Sequence, residues 1–290
     1  MSAEATPAGA PAHVGILGGG RMGAGIAHAF LLAGSRVTVV ERDDPAADAA
    51  ATRIRESLAR SVQRGTTALP LDELERSLTT STEAEAFASC GLVIEAVPED
   101  RALKLDALTR VEAVLSASAV LASNTSSISI DDLARGLRRP TRFLGMHFFN
   151  PVPASALVEV VRGSATAPEL VDHARSWVAA IGKSAVVVRD APGFASSRLG
   201  VALGLEAIRM LEEGVATAAD IDAAMELGYR HPMGPLRTTD IVGLDVRLGI
   251  AEELHGALGE RFAPPELLRR LVAEGHLGRK TGRGFYEWSE

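Results

Sequence analysis

The run Gly18-Gly19-Gly20-Arg21-Met22-Gly23 constrains this chain more than any other stretch of it. It follows a β-prone apolar segment, 13–17. It opens an apolar-periodic segment that predicts a helix over 22–33, stopped at Gly34. Glycines spaced as Gly18-x-Gly20-x-x-Gly23 serve three ends. The first permits a tight turn, the second lets the backbone approach a bulky anion, and the third lets helix and strand pack closely. The N–H groups at the helix start then suit a pyrophosphate. A β-branched run, Val37-Thr38-Val39-Val40, follows within 36–41 and ends on Glu41. Strand, glycine turn, helix, strand and acid together predict the opening βαβ unit of a dinucleotide-binding fold. Glu41 would bond ribose hydroxyls and repel a 2′-phosphate, which favours NAD over NADP. Arg42 reads either as a solvated loop residue or as a partner for that phosphate.

Downstream, 45–65 has helical periodicity, with Pro45 near its start and Gly65 as its stop. Arg53, Arg60 and Arg64 share one face of it. A shorter helix is expected over 71–78. The stretch is long for a plain crossover, so 45–78 reads as an inserted helical pair. Strands are expected at 92–97, 120–123, 143–149, 157–161 and 186–188, with a helix over 104–115. This alternation predicts a Rossmann-type, doubly wound parallel sheet over 13–190. After Asp190-Ala191-Pro192-Gly193 the pattern turns helical nearly to the end, so 191–290 is expected to be an all-helical domain. Its first helix, 196–213, is apolar on most sides and belongs in a core or a subunit interface.

The 290 residues suffice for about two domains. A net charge of −7 without a basic stripe argues against a nucleic-acid partner. The one cysteine, Cys90, rules out an intrachain disulfide and fits a reducing compartment, so a cytoplasmic protein is expected. Residues 1–12 lack the basic start and apolar core of a signal peptide and read as a disordered tail. No apolar run reaches the roughly 18 residues that span a bilayer. No metal ligands are assigned.

Oxidising an alcohol requires a base for the hydroxyl proton as hydride leaves carbon. Histidine suits this at neutral pH, and position must choose among seven of them. His147 ends a predicted strand. Glu159 lies in the next one, Leu157-Val158-Glu159-Val160-Val161, where a carboxylate among apolar residues is costly unless paired. Neighbouring strands would set the two side by side, with the acid fixing the ring tautomer. A satisfied core histidine and an edge-strand glutamate fit the spacing equally. Ser123-Asn124-Thr125-Ser126-Ser127 reads either as a Ser/Thr turn capping a helix near Asp131 or as hydroxyls for a substrate oxygen. Glu99 follows a strand at the carboxyl edge of the sheet, where ligands of open α/β folds bind.

Taken in order, these motifs resemble the 3-hydroxyacyl-CoA dehydrogenase family, including its 3-hydroxybutyryl-CoA dehydrogenases. The resemblance runs from Val14 to Trp288. It rests on the glycine motif, Val93-Ile94-Glu95-Ala96-Val97-x-Glu99, Ser123 to Ser127, His147-Phe148-Phe149-Asn150-Pro151-Val152-Pro153, Leu157-Val158-Glu159-Val160, Pro192-Gly193-Phe194, Met233-Gly234-Pro235 with Gly243-Leu244-Asp245, and Lys280 to Tyr286. It implies NAD as cofactor, an acyl-CoA substrate, a homodimer formed through the helical domain, and a role in fatty acid metabolism. It implies His147 as general base, Glu159 as its orienting acid, and Ser126 on the substrate β-oxygen with Asn150 in the same pocket. Gly18, Gly20, Arg21, Met22, Gly23 and Glu41 would hold the cofactor, with Glu99 and Lys104 on its nicotinamide side. The helical pair would be a CoA-binding arm whose Arg53 and Arg60 reach phosphates, although a solvated basic face reads as well. The chain departs from the family at Ser197, where asparagine is usual; serine there is a shorter donor or a helix cap. Three other readings compete. One is a dehydrogenase of free hydroxy or sugar acids on the same fold. Another is a β-hydroxyacid dehydrogenase using Lys183, and the last is a non-catalytic NAD(H)-binding protein.

Overall fold

A computed structural model describes residues 9–288. The chain divides into two compact units, 1–190 and 191–290. Within the first, β1 (His13–Leu17), α1 (Arg21–Leu32), β2 (Arg36–Val40), α2 (Asp44–Gln63), α3 (Leu71–Arg76) and β3 (Leu78–Ser81) form the opening half. Then come β4 (Leu92–Glu95), α4 (Arg101–Val114), β5 (Val120–Ser123), α5 (Ile130–Ala134), β6 (Phe143–Phe148), β7 (Leu157–Arg162), α6 (Pro168–Ala180) and β8 (Ser184–Arg189). The eight strands form one sheet in the order β3-β2-β1-β4-β5-β6-β7-β8.

The strand order reverses direction at β1, which pairs with β2 on one side and β4 on the other. Ligands of doubly wound sheets bind at such a switch point. From β3 to β6 all pairings are parallel, and these strands are mostly buried, as continuous apolar runs require when both faces are covered. β7 runs antiparallel to β6, and β8 follows β7. The expected doubly wound parallel sheet is thus present, with β6 and β7 as its one antiparallel pairing. A turn too short for a helical crossover joins β6 to β7, and only an antiparallel neighbour can be reached that way.

Four expectations are corrected. Residues 1–8 of the expected tail lie outside the described residues, but Pro11 and Ala12 are held, their carbonyls accepting from Ser35 Oγ and Arg36 N. The helix expected over 71–78 ends at Arg76, and Leu78–Ser81 becomes a strand beside β2. Segment 45–78 is thus the β2-to-β3 crossover itself. Its long helix is started by Asp43, whose carboxylate accepts from Ala46 N at 2.8 Å. It buries the stripe Ala47, Ala50, Ala51, Ile54 and Leu58. Finally, α4 starts at Arg101 and not at 104, because the Asp100 side chain accepts from Leu103 N.

A core cluster of this unit lines one face of the sheet, packed with residues of α1, α2 and α6. Phe30, Ile54, Leu58, Leu92, Met146 and Phe148 are among its members. Each such side chain contributes roughly 1.5–3 kcal/mol by leaving water. Cys90, just before β4, is also buried, and burial pushes its thiol up to about 12 against the opposing charge of Arg36.

The second unit contains α7 (Ser196–Glu212), α8 (Ala218–Tyr229), α9 (Pro235–Val242), α10 (Leu244–Leu258) and α11 (Glu266–Ala273). Val201, Leu205, Ile208, Leu236, Leu244 and Leu254 lie in its core. Two buried acids tie its C-terminal segment down. Asp240 accepts from Phe285 N, Tyr286 N and Trp288 Nε1, and Asp222 accepts from Leu236 N, Arg237 N and Tyr286 OH. Burial, then the bond to Asp222, raises the Tyr286 phenol above its ordinary range. Among the described residues no helix is long and apolar enough to cross a membrane.

Candidate active site

The glycine loop leaves β1 at the switch point. Gly18 has φ +92°, a conformation that L side chains rarely adopt. A Cβ at Gly23 would sit 1.8 Å from the Gly18 carbonyl oxygen, so helix and strand approach as the third glycine requires. At Gly20 a Cβ would meet nothing within 4 Å, so the backbone there lies open to a ligand. This cradle fits a dinucleotide pyrophosphate at the start of α1. Glu41 follows β2, and its Oε1 accepts from Gly19 N at 2.7 Å while Oε2 accepts from Arg42 N. Arg42 itself is exposed and pairs with Asp43. Arg21 is exposed and Met22 half-buried at the start of α1.

The basic face of α2 separates into unlike parts. Arg53 Nη1 donates to the Gly19 carbonyl at 2.7 Å, which ties the helix to the glycine loop. Arg60 stays on the helix surface with Ser57 and Glu56. Gly19 was not singled out for a role in the sequence, yet its Cα faces Ala50 of α2 so closely that a Cβ would lie 2.3 Å from the Ala50 methyl.

β4 and the loop after it gather an acidic and hydroxyl-rich cluster. Glu95 is wholly buried at the end of β4 and accepts from Lys104 Nζ at 2.7 Å, Ser123 Oγ at 2.6 Å and Val97 N at 2.7 Å. Burial pushes its carboxyl up, opposed by the Lys104 ammonium and these bonds. Lys104, also buried, donates to the Val97 carbonyl and lies 3.3 Å from Glu99 Oε2. The structure thus places Lys104 beneath Glu99, with its ammonium inside this network. The other Glu99 oxygen accepts from Thr125 Oγ1 at 2.6 Å, Ser126 N at 2.9 Å, Ser126 Oγ at 3.2 Å and Ser127 N at 3.1 Å. Burial alone would raise the Glu99 carboxyl, but Lys104 and the bonds from Thr125 and Ser126 outweigh it and hold it below the usual carboxylate range. The serine-rich run forms a turn, as one of its two readings expects. Thr125 Oγ1 accepts from Ile128 N as a turn residue, while Ser126 and Ser127 remain only half-buried beside Glu99.

The next strands bring an imidazole and a carboxylate together. His147 lies directly across the antiparallel ladder from Glu159. Their side chains meet, Nδ1 to Oε2, at 2.8 Å, with only 8% and 1% of each exposed. A carboxylate at Nδ1 holds the ring proton there and leaves Nε2 as the basic nitrogen. Phe149 stacks obliquely on the imidazole, centroids 4.4 Å apart. Asn124, another residue given no separate role in the sequence, accepts from Phe148 N through Oδ1 at 2.8 Å and so fixes the strand beside the histidine. Asn150, two residues on, is exposed. Ser197 belongs to the second unit as the second residue of α7, whose N-cap position is Ala195, so the cap reading is withdrawn.

A family model described as "3-hydroxyacyl-CoA dehydrogenase, NAD binding domain" matches residues 13–191, and one for the C-terminal domain matches 193–288. The chain is 43% identical over 279 residues to the 3-hydroxybutyryl-CoA dehydrogenase of Mycobacterium tuberculosis, covering 95% of this chain and 98% of that one. It is 38% identical to the mitochondrial hydroxyacyl-coenzyme A dehydrogenase of Rattus norvegicus, with 95% and 91% covered. Among solved structures, (S)-3-hydroxybutyryl-CoA dehydrogenase PaaH1 from Ralstonia eutropha superposes with a TM-score of 0.92 at 37% identity, covering 97% of this chain and 100% of that one.

Proposed function

The chain belongs to the 3-hydroxyacyl-CoA dehydrogenase family, NAD-using oxidoreductases, and from that premise we propose that it interconverts an L-3-hydroxyacyl-CoA and its 3-ketoacyl-CoA, of the 3-hydroxybutyryl/acetoacetyl type, with His147 as general base. The observation that carries this reading is the buried 2.8 Å contact of His147 Nδ1 with Glu159 across the β6–β7 ladder. Bound NAD⁺ supplies the hydride acceptor. His147 Nε2 takes the hydroxyl proton in oxidation and returns it in reduction. Glu159 holds the ring and balances the imidazolium as it forms. Ser126 donates to the substrate oxygen, turning its hydroxyl from Glu99 to do so, and Asn150 lines the same pocket. Glu41 selects the unphosphorylated ribose, with Gly18, Gly20 and Gly23 around the pyrophosphate. Glu99 borders the nicotinamide side with Lys104 behind it. Arg60, exposed on α2, is available to a CoA phosphate, whereas Arg53 serves the glycine loop first. The active form in this proposal is a homodimer built through the helical unit, where Leu199 and Val246 are exposed apolar side chains.

The test follows NADH consumption with acetoacetyl-CoA beside free acetoacetate. Turnover is expected with the thioester alone. His147→Gln is expected to lower it by roughly 10²–10⁴ while NADH affinity stays near wild type. Turnover on the free acid would replace the proposal with the free-acid dehydrogenase reading. Wild-type turnover in His147→Gln would remove the base assignment.

A further inference from the structure

The turn that carries His147 toward Glu159 is held from two sides by groups outside the chemistry described so far. Lys183, between α6 and β8, sends its ammonium into the 149–156 turn, where it donates to the Val152 carbonyl at 2.6 Å and to the Ser155 carbonyl. These carbonyls bracket the middle of the turn. Lys183 makes no ion pair among the described residues, and its ammonium is satisfied by backbone. Burial lowers its pKa below the ordinary lysine value. Desolvating an ammonium without a counter-charge is costly, so these carbonyl bonds carry more than a surface contact does. The anchor itself is stiff: Lys183 N donates to Val178 O at the end of α6, and Ser184 N donates to Ala156 O where β7 begins.

From the other side, Val152 is buried against α1 at Gly25. A Cβ on Gly25 would come within 2.8 Å of the valine's own Cβ. The turn is therefore pressed onto the helix that begins at the glycine loop and strapped down by Lys183. β6 is meanwhile fixed by Asn124 through Phe148 N.

We propose that Lys183 is a positioning residue for catalysis, acting with the Gly25–Val152 contact to hold the β6–β7 turn so that His147 and Glu159 keep the geometry of a proton-transferring pair. This rests on the reading of His147 as base. It gives Lys183 a role other than that of a catalytic lysine, because its ammonium is spent on two backbone carbonyls.

The test compares Lys183→Met, Lys183→Arg and Gly25→Ala in the full chain, with kcat and KM for acetoacetyl-CoA and NADH affinity by fluorescence. Lys183→Met is expected to lower kcat about tenfold, the scale of a modest misplacement of reacting groups, with KM and NADH affinity within about twofold of wild type. Lys183→Arg, which can still donate to both carbonyls, is expected to recover most of the loss. Gly25→Ala, which displaces Val152 from the opposite side, is expected to show the same kcat-only signature. Should Lys183→Met fail to fold, Lys183→Arg and Gly25→Ala decide. Wild-type kcat in Gly25→Ala together with wild-type kcat in a folded Lys183→Met overturns the proposal. So does a loss confined to KM or thermal stability. If His147→Gln is inactive while both turn variants are wild type, the clamp fails and the base reading stands. If His147→Gln is active, the base reading fails first.

Discussion

Glu159 in the sheet and Asp240 in the helical unit are both buried acids, each under 2% exposed, and they do opposite work. Asp240 is closed: its oxygens accept two backbone amides and an indole N–H, donors that do not titrate near neutral pH. Glu159 faces an imidazole, a ring that can both accept and release a proton. A buried carboxylate surrounded by permanent donors is a rivet. One set against a titratable ring can take part in moving a proton. Burial alone does not separate the two cases; the partner does.

The comparison is sharpest if each acid is made neutral with its shape kept. Glu159→Gln is expected to lower kcat by about 10²-fold or more, since the amide no longer balances the imidazolium or enforces its tautomer. Its effect on unfolding is expected to be the smaller one. Equal losses of kcat in Glu159→Gln and Asp240→Asn, measured on folded protein, would break the contrast. Asp240→Asn turns one acceptor into a donor facing N–H groups and should cost about 1–3 kcal/mol of stability. That corresponds to roughly 4–8 °C in Tm per kcal/mol for a unit of this size, and turnover of the folded fraction should be unchanged. Glu99 lies between the two, half-open and held below its ordinary range by Lys104 and its hydrogen bonds against the opposing pull of burial. Its folded pKa is below the unfolded one, so its stabilisation is present above the ordinary carboxylate range and fades as pH falls through the folded value. Glu99→Gln should therefore lower Tm at neutral pH and flatten its fall on acidification, because the stabilisation it removes is the part that fades at low pH. A steeper acid limb would contradict the assignment.

Much of the nucleotide half was legible because its signals are local. A glycine spacing, a β-branched run and the acid at Glu41 lie within one βαβ unit, so none of them needs a distant partner to be read. The dyad was half-legible: an acid among valines announced a partner, but adjacency of His147 and Glu159 depended on strand direction, which composition does not set. The same signal stood at Glu95, and its partners Lys104 and Ser123 come from another helix and another strand. Strand β3 was hidden because Leu78-Thr79-Thr80-Ser81 is too short and polar to announce itself. The positions of Arg53 and Lys183 were illegible for a different reason. Long side chains choose partners from the folded backbone, here carbonyls of Gly19, Val152 and Ser155.

Cys90 carries a practical consequence of its burial before β4. A thiol raised to about 12 and kept from water is silent toward thiol-directed reagents while the sheet is intact. It becomes reactive only in molecules whose segment ahead of β4 has come away. Since the chain holds no second cysteine, every labelling event counts one such opening, and each molecule carries its own gauge of how often the nucleotide half of the sheet comes apart.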